Sequence, residues 1–149
     1  MRLALVHLSD IHFKEFEGQN PILLRGKSIA TAIASVAVGA QACFVSVTGD
    51  IAFAGKEIEY ELAARFFRKL KDDIESRLPV GEVSFVFVPG NHDCDFSDQE
   101  RVREVVLDNL DLEQLDNSIF DICCKPQEHF ESFASSWTPR APDSHNSTR

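Results

Sequence analysis

Three apolar runs recur at intervals of about forty residues, and each stops at a short polar cluster. Residues 2–8 lead into Ser9-Asp10-Ile11-His12, residues 43–47 into Thr48-Gly49-Asp50, and residues 83–88 into Pro89-Gly90-Asn91-His92-Asp93. Between them lie segments with helical spacing. Ile29, Ile33, Val36 and Ala37 mark residues 22–38, with Gly39 as the stop. Ile58, Leu62, Phe66, Leu70 and Ile74 mark residues 57–78, closed by Pro79. A strand-helix-strand-helix-strand series predicts an α/β fold with a parallel sheet and right-handed crossovers. The nearly unbroken run Leu3-Ala4-Leu5-Val6 predicts strands covered on both faces, with His7 as a satisfied core histidine.

The clusters sit where an open α/β sheet collects its functional groups, at the ends of the strands. Asp10, His12, Asp50, Asn91, His92 and Asp93 together offer carboxylate, imidazole and amide donors. That mixed oxygen and nitrogen set suits divalent metals of intermediate softness such as Mn, Fe or Zn. Asp10 and His12, two residues apart, can face the same ion. Asp50 has two oxygens with which to bridge two ions, and Asn91 adds a neutral oxygen. Two ions roughly 3.5–4 Å apart can hold a hydroxide and clamp phosphoryl oxygens. His92 is the candidate proton donor to a leaving alkoxide, with Asp93 as the group that orients it. Taken singly, a Gly-Asp after a strand is ordinary turn chemistry and Asn-His-Asp is an ordinary helix cap. Their order along the chain is what points to a metal site.

Composition sets the outer bounds. At 149 residues, 44% hydrophobic and 26% charged, the chain fits one globular domain with a real core. Cys43, Cys94, Cys123 and Cys124 form no C-x-x-C pair, so neither a zinc knuckle nor a disulfide framework is expected. The first residues are too soon interrupted for a signal peptide, and no run reaches the length of a membrane span. A reducing cytoplasm is the expected location. The net charge of −9 argues against a broad nucleic-acid groove. It says little about a small phosphate ester, because bound metals would neutralise the carboxylates locally.

Further along, Ser97 with Glu100 reads as a capping box opening a helix through Val102, Val105, Val106 and Leu110. A second helical stretch covers 112–123, and Phe130, Phe133 and Trp137 form a small apolar face. Cys123 and Cys124 fall near a helix end as reduced thiols, Cys94 is a half-buried thiol, and His129 and His145 have no ligand context. Residues 1–137 are therefore expected to form one domain, with 138–149 as a disordered tail in which the Asn146-Ser147-Thr148 sequon has no bearing.

Asp10-x-His12, Gly49-Asp50 and Gly90-Asn91-His92-Asp93 resemble the first three blocks of the calcineurin-like metallophosphoesterases. The resemblance covers about residues 1–110 and implies an α/β-β-α sandwich with a dinuclear centre. By that likeness Asp10 and His12 bind the first metal, Asp50 bridges, and Asn91 binds the second. His92 is then the proton donor, supported by Asp93. The stretch after Asp50, with Gly55 and Tyr60, is more similar to the cyclic-nucleotide phosphodiesterase branch than to the repair-nuclease branch. The family's later His and Gly-His-x-His blocks, and the second sheet, have no counterpart here. The expectation is the N-terminal part of a longer metal-dependent phosphohydrolase, with small phosphate esters or nucleotides as substrates. The missing half or a partner chain would complete the site. The alternatives are a non-catalytic interaction or regulatory module of the same fold and, disfavoured by acidity, a non-specific nuclease.

Overall fold

The computed structural model describes residues 2–78, 82–97, 100–109 and 116–137. Pro79, Leu110, residues 112–115, the 138–149 tail, His145 and the sequon lie outside them. Three strands, β1 (Leu3–Ser9), β2 (Ala42–Thr48) and β3 (Val83–Val88), alternate with α1 (Gly26–Val36) and α2 (Glu57–Glu75). They form a parallel sheet in the order β1-β2-β3. Among the described residues three shorter helices follow: α3 (Glu100–Asp108), α4 (Asn117–Cys124) and α5 (Glu128–Ser135). No described helix is long and apolar enough to cross a membrane.

The strand order explains which surfaces are buried. When three parallel strands advance in one direction, right-handed crossovers carry both connecting helices over the same face. Cys43, Val45, Val47, Val83 and Phe85 on that face are buried, with Ala4, Val6, Leu8 and Phe87 packed against them. The expectation of cover on both faces fails for this reason. Leu3, Leu5, Phe44, Val86 and Val88 point the other way and are exposed, Leu5 to 79%. His7 is on this open face too. It is an exposed histidine rather than a core one, with Nε2 2.6 Å from the Thr48 hydroxyl. Apart from the ionisable His7, no titratable side chain stands among the exposed face positions Leu3, Leu5, Phe44, Ser46, Thr48, Ser84, Val86 and Val88.

The helices depart from their spacing in instructive ways. Steps of four residues overshoot a full turn by about 40° each, so a row of such steps drifts around the helix. Ile58, the first of the α2 row, is therefore 43% exposed, while Leu62, Phe66, Leu70 and Ile74 are buried. Tyr60, Ala63 and Phe67 complete the core face. In α1, Ala30 and Ile33 are buried but Val36 is exposed, and the helix ends before Gly39, which supplies a φ of +75° in the turn. Residues 22–24, expected in the helix, belong instead to a separate 3₁₀ turn, Pro21–Leu24. On α5, Phe130 and Phe133 are buried, and Trp137 stands 5.3 Å from the Phe87 ring and 5.4 Å from Phe85. The small aromatic face thus seals the end of the sheet. All four cysteines are free, Cys43 in the core and Cys123 and Cys124 at the end of α4.

Candidate metal centre

Beyond the ladder, the loops after β1 and β2 remain zipped together. The backbone N–H of Asp10 donates to Gly49 (3.3 Å), that of His12 to Asp50 (2.8 Å) and that of Phe13 to Ile51 (2.8 Å). Phe53 N–H donates back to Phe13 at 2.9 Å. Within this seam Asp10, His12 and Asp50 have φ of 54°, 53° and 50°, and they are the non-glycine residues with positive φ among those described. Each such placement costs on the order of 1–3 kcal/mol and persists only where surrounding bonds enforce it. The strain falls on three of the residues singled out as metal ligands.

The β3 cluster joins them through Asp50. Asp50 Oδ1 accepts the backbone N–H of His92 at 3.1 Å. Gly90 makes this approach feasible: a Cβ there would lie 2.2 Å from Asp50 Oδ1 and 2.4 Å from Asp50 N. The His92 ring stands 4.8 Å from the His12 ring, edge to face. Its Nδ1 is 2.7 Å from the Phe53 carbonyl. A carbonyl only accepts, so Nδ1 carries the proton there and Nε2 is left for chemistry. His12, Asp50 and His92 each offer a donor atom, all within 4.8 Å of one another.

Asp93 does something other than orient His92. It is fully buried, and Oδ1 accepts from Ala52 N–H (2.7 Å) and the Tyr60 hydroxyl (2.9 Å). Oδ2 accepts from Gly90 N–H (2.8 Å) and Ile51 N–H (3.1 Å). The carboxylate is spent on suturing the β2 loop to the β3 loop, and the Phe53 carbonyl takes the orienting place assigned to it. Burial, then the neighbouring Asp93 charge, pushes the Tyr60 hydroxyl far up, so it stays a donor. Glu59, also buried, holds the same loop by accepting from Ala54 and Lys56 N–H at 2.9 and 3.1 Å. Sequence reasoning missed Glu59 and the Phe53 carbonyl. A backbone carbonyl leaves no mark in a sequence, but Glu59 stands at the third position of a helix opening, where carboxylates bond backbone donors.

The family model for calcineurin-like phosphoesterase matches residues 3–139. The chain belongs to that family. No curated protein matches it. Calcineurin-like phosphoesterases use divalent metals, and the residues present fit one. His12 Nε2 and Asp50 Oδ2 stand 3.7 Å apart, beyond a hydrogen bond. That is close to the spacing of two donors on one tetrahedral ion, about 3.4 Å at bond lengths of about 2.1 Å. His12 Nδ1 is buried without a partner, so no competing hydrogen bond ties the ring elsewhere. The Asp10 carboxylate is outside the three-residue group, and Asn91 lines an adjoining cleft. Cys94 is half-buried and accepts from Gln127 at 3.6 Å.

Ser97 is tied to Asp95, and residues 98 and 99, across which it is expected to cap a helix, lie outside the described residues. Its N–H and O–H both donate to Asp95 Oδ1, at 2.9 and 2.7 Å, and Lys56 Nζ reaches the same oxygen at 2.8 Å. The side chain of Glu100, its expected capping partner, is outside the described atoms. Burial alone would raise the Asp95 carboxyl, but the Lys56 and Ser97 hydrogen bonds and the Lys56 charge outweigh it and hold it below the usual range. A carboxylate depressed on folding adds stability above its unfolded pKa, about 3.9, and loses it as pH falls through the folded value. The gap in urea midpoint between wild type and Asp95→Asn should therefore be steady from pH 5 to 7 and close below about pH 4. A gap unchanged down to pH 3 would contradict this role.

Proposed function

We propose that this chain carries the metal-binding edge of a phosphohydrolase that cleaves small phosphomonoesters or phosphodiesters. The observation that supports it most is the coincidence of the strained residues Asp10, His12 and Asp50 with the strand tips that meet His92. In this reading Asp10 and His12 would hold one ion, Asn91 would hold a second, and Asp50 would serve both. Bound divalent ions, Mn, Fe or Zn, supply Lewis acidity toward the phosphoryl oxygens and activation of water. His92 gives a proton from Nε2 to the leaving oxygen while the Phe53 carbonyl holds Nδ1–H. Asp93, through Gly90, Ile51 and Ala52, keeps the two loops at the spacing this needs.

Residues 1–137 act as one unit in this proposal, in a reducing compartment that suits four free thiols. Its exposed apolar sheet face supports cover by further chain or a partner. Calorimetry with Mn tests the centre. Asp50→Ala should weaken binding more than about tenfold, since one side chain serves both positions. Equal affinity in the two proteins would contradict the shared ligand. Hydrolysis of bis-nitrophenyl phosphate should require Mn and stop with a chelator.

A non-catalytic, metal-binding regulatory module is the second reading. One observation favours it: among the described residues no histidine after His92 joins the cluster, His129 standing instead 4.0 Å from Asp95. Metal binding without turnover of any ester would decide for it.

A further inference from the structure

A cleft of about 450 Å³ is lined by His92 and Asn91 and by two phenylalanines, Phe53 and Phe96. The rings are 45% and 39% exposed although the core lies close by. Single exposed phenylalanines are ordinary, but two lining one cleft beside a candidate catalytic centre form an apolar receptor. A cation stands over each ring. Lys14 Nζ stands 4.9 Å from the Phe53 centroid and Arg103 Cζ 5.1 Å from that of Phe96. Neither cation lines the cleft, and the His92 ring, which does, stands 5.7 Å from that of Phe53 at a tilt of 33°.

The backbone on either side is fixed as well. Phe53 is held through its N–H on Phe13 and its carbonyl on His92 Nδ1. The Phe96 loop is anchored by Asp95 N–H on the Pro126 carbonyl (2.7 Å) and by the Lys56–Asp95 pair. At Gly55 the two loops pass so closely that a Cβ would lie 2.4 Å from the Cys94 carbonyl carbon. Charge in the cleft is matched, Lys56 against Asp95 at 2.8 Å, which disfavours an anion and suits a neutral group.

We infer that this cleft receives a planar aromatic ring carried on the alcohol side of the ester, stacked against Phe53 and Phe96 next to His92. This rests on the phosphoesterase reading for the chemistry but not for the ring site itself. A ring seated here would put the ester's leaving oxygen on the side of His92, where the proposed proton is delivered.

The test uses the full chain with Mn and two matched pairs of probes, followed by calorimetry and by NMR of the phenylalanine rings. Phenyl phosphate should bind about threefold to tenfold more tightly than cyclohexyl phosphate, the gain of one aromatic contact. Phenol should shift the Phe53 and Phe96 ring signals where cyclohexanol does not. Phe96→Leu should erase both preferences and leave inorganic phosphate binding unchanged, while Phe96→Trp keeps them. Equal binding of the two esters, or a preference that survives in Phe96→Leu, overturns the inference. Phosphate that binds while phenol leaves the rings unmoved also overturns it, and spares the phosphoesterase reading. Phenol that shifts the rings while phosphate fails to bind supports the ring site and counts against that reading instead.

Discussion

Asp93→Ala should lower the unfolding free energy by about 3–5 kcal/mol, the range seen when one side of a buried charged network is removed. Four donors lose their acceptor at once: the N–H groups of Ile51, Ala52 and Gly90 and the Tyr60 hydroxyl. Each orphaned buried group costs about 1–3 kcal/mol, and entry of water relieves part of the sum. The result is a large share of the 5–15 kcal/mol that holds a domain of this size together. Tyr60→Phe keeps the carboxylate and three of its four bonds, so it should cost only about 1 kcal/mol. Urea unfolding of the two variants separates a clasp from a bystander. If Asp93→Ala is no less stable than Tyr60→Phe, the carboxylate is not what joins the loops.

That assignment shows where the sequence was readable. The position of Asp93 at a strand tip followed from periodicity alone, since alternating runs and helical spacing are local properties. So did β3, which spans the expected residues, and the meeting of three clusters at one sheet edge. What Asp93 bonds is a long-range matter: its partners Ile51 and Ala52 are about forty positions away, and their donors are backbone atoms that any residue would supply. The open sheet face is another case. Leu5 reads as covered because it stands in an unbroken apolar run, and only the β1-β2-β3 order reveals that both crossovers lie on the opposite face. Strand order is set by packing across the sheet, which spacing along the chain does not encode. The positive φ of His12 is equally invisible, because glycine is the usual marker of that conformation and only a small share of histidines adopt it.

The same geometry separates two histidines whose rings are only 4.8 Å apart. His12 is held by a strained backbone with Nε2 3.7 Å from Asp50 Oδ2, and in the proposed reading it is a metal ligand. His92 is held by the Phe53 carbonyl on Nδ1, which leaves Nε2 clear of that bond and is compatible with proton delivery. In a metal-loaded, active form of the protein, His92→Ala should reduce kcat by roughly 10²–10⁴-fold, the usual weight of general acid catalysis. Metal content should stay near the wild-type level. His12→Ala should instead lose metal, as a first ligand would. The leaving group supplies the discriminating readout: a nitrophenolate departs without a proton, so the His92→Ala defect should shrink on nitrophenyl esters and be largest on alkyl esters. Metal analysis of both purified variants, with rates on the two ester types, gives the answer. If His92→Ala loses metal as His12→Ala does and its defect ignores the leaving group, His92 is a third ligand of the cluster and the proton comes from elsewhere.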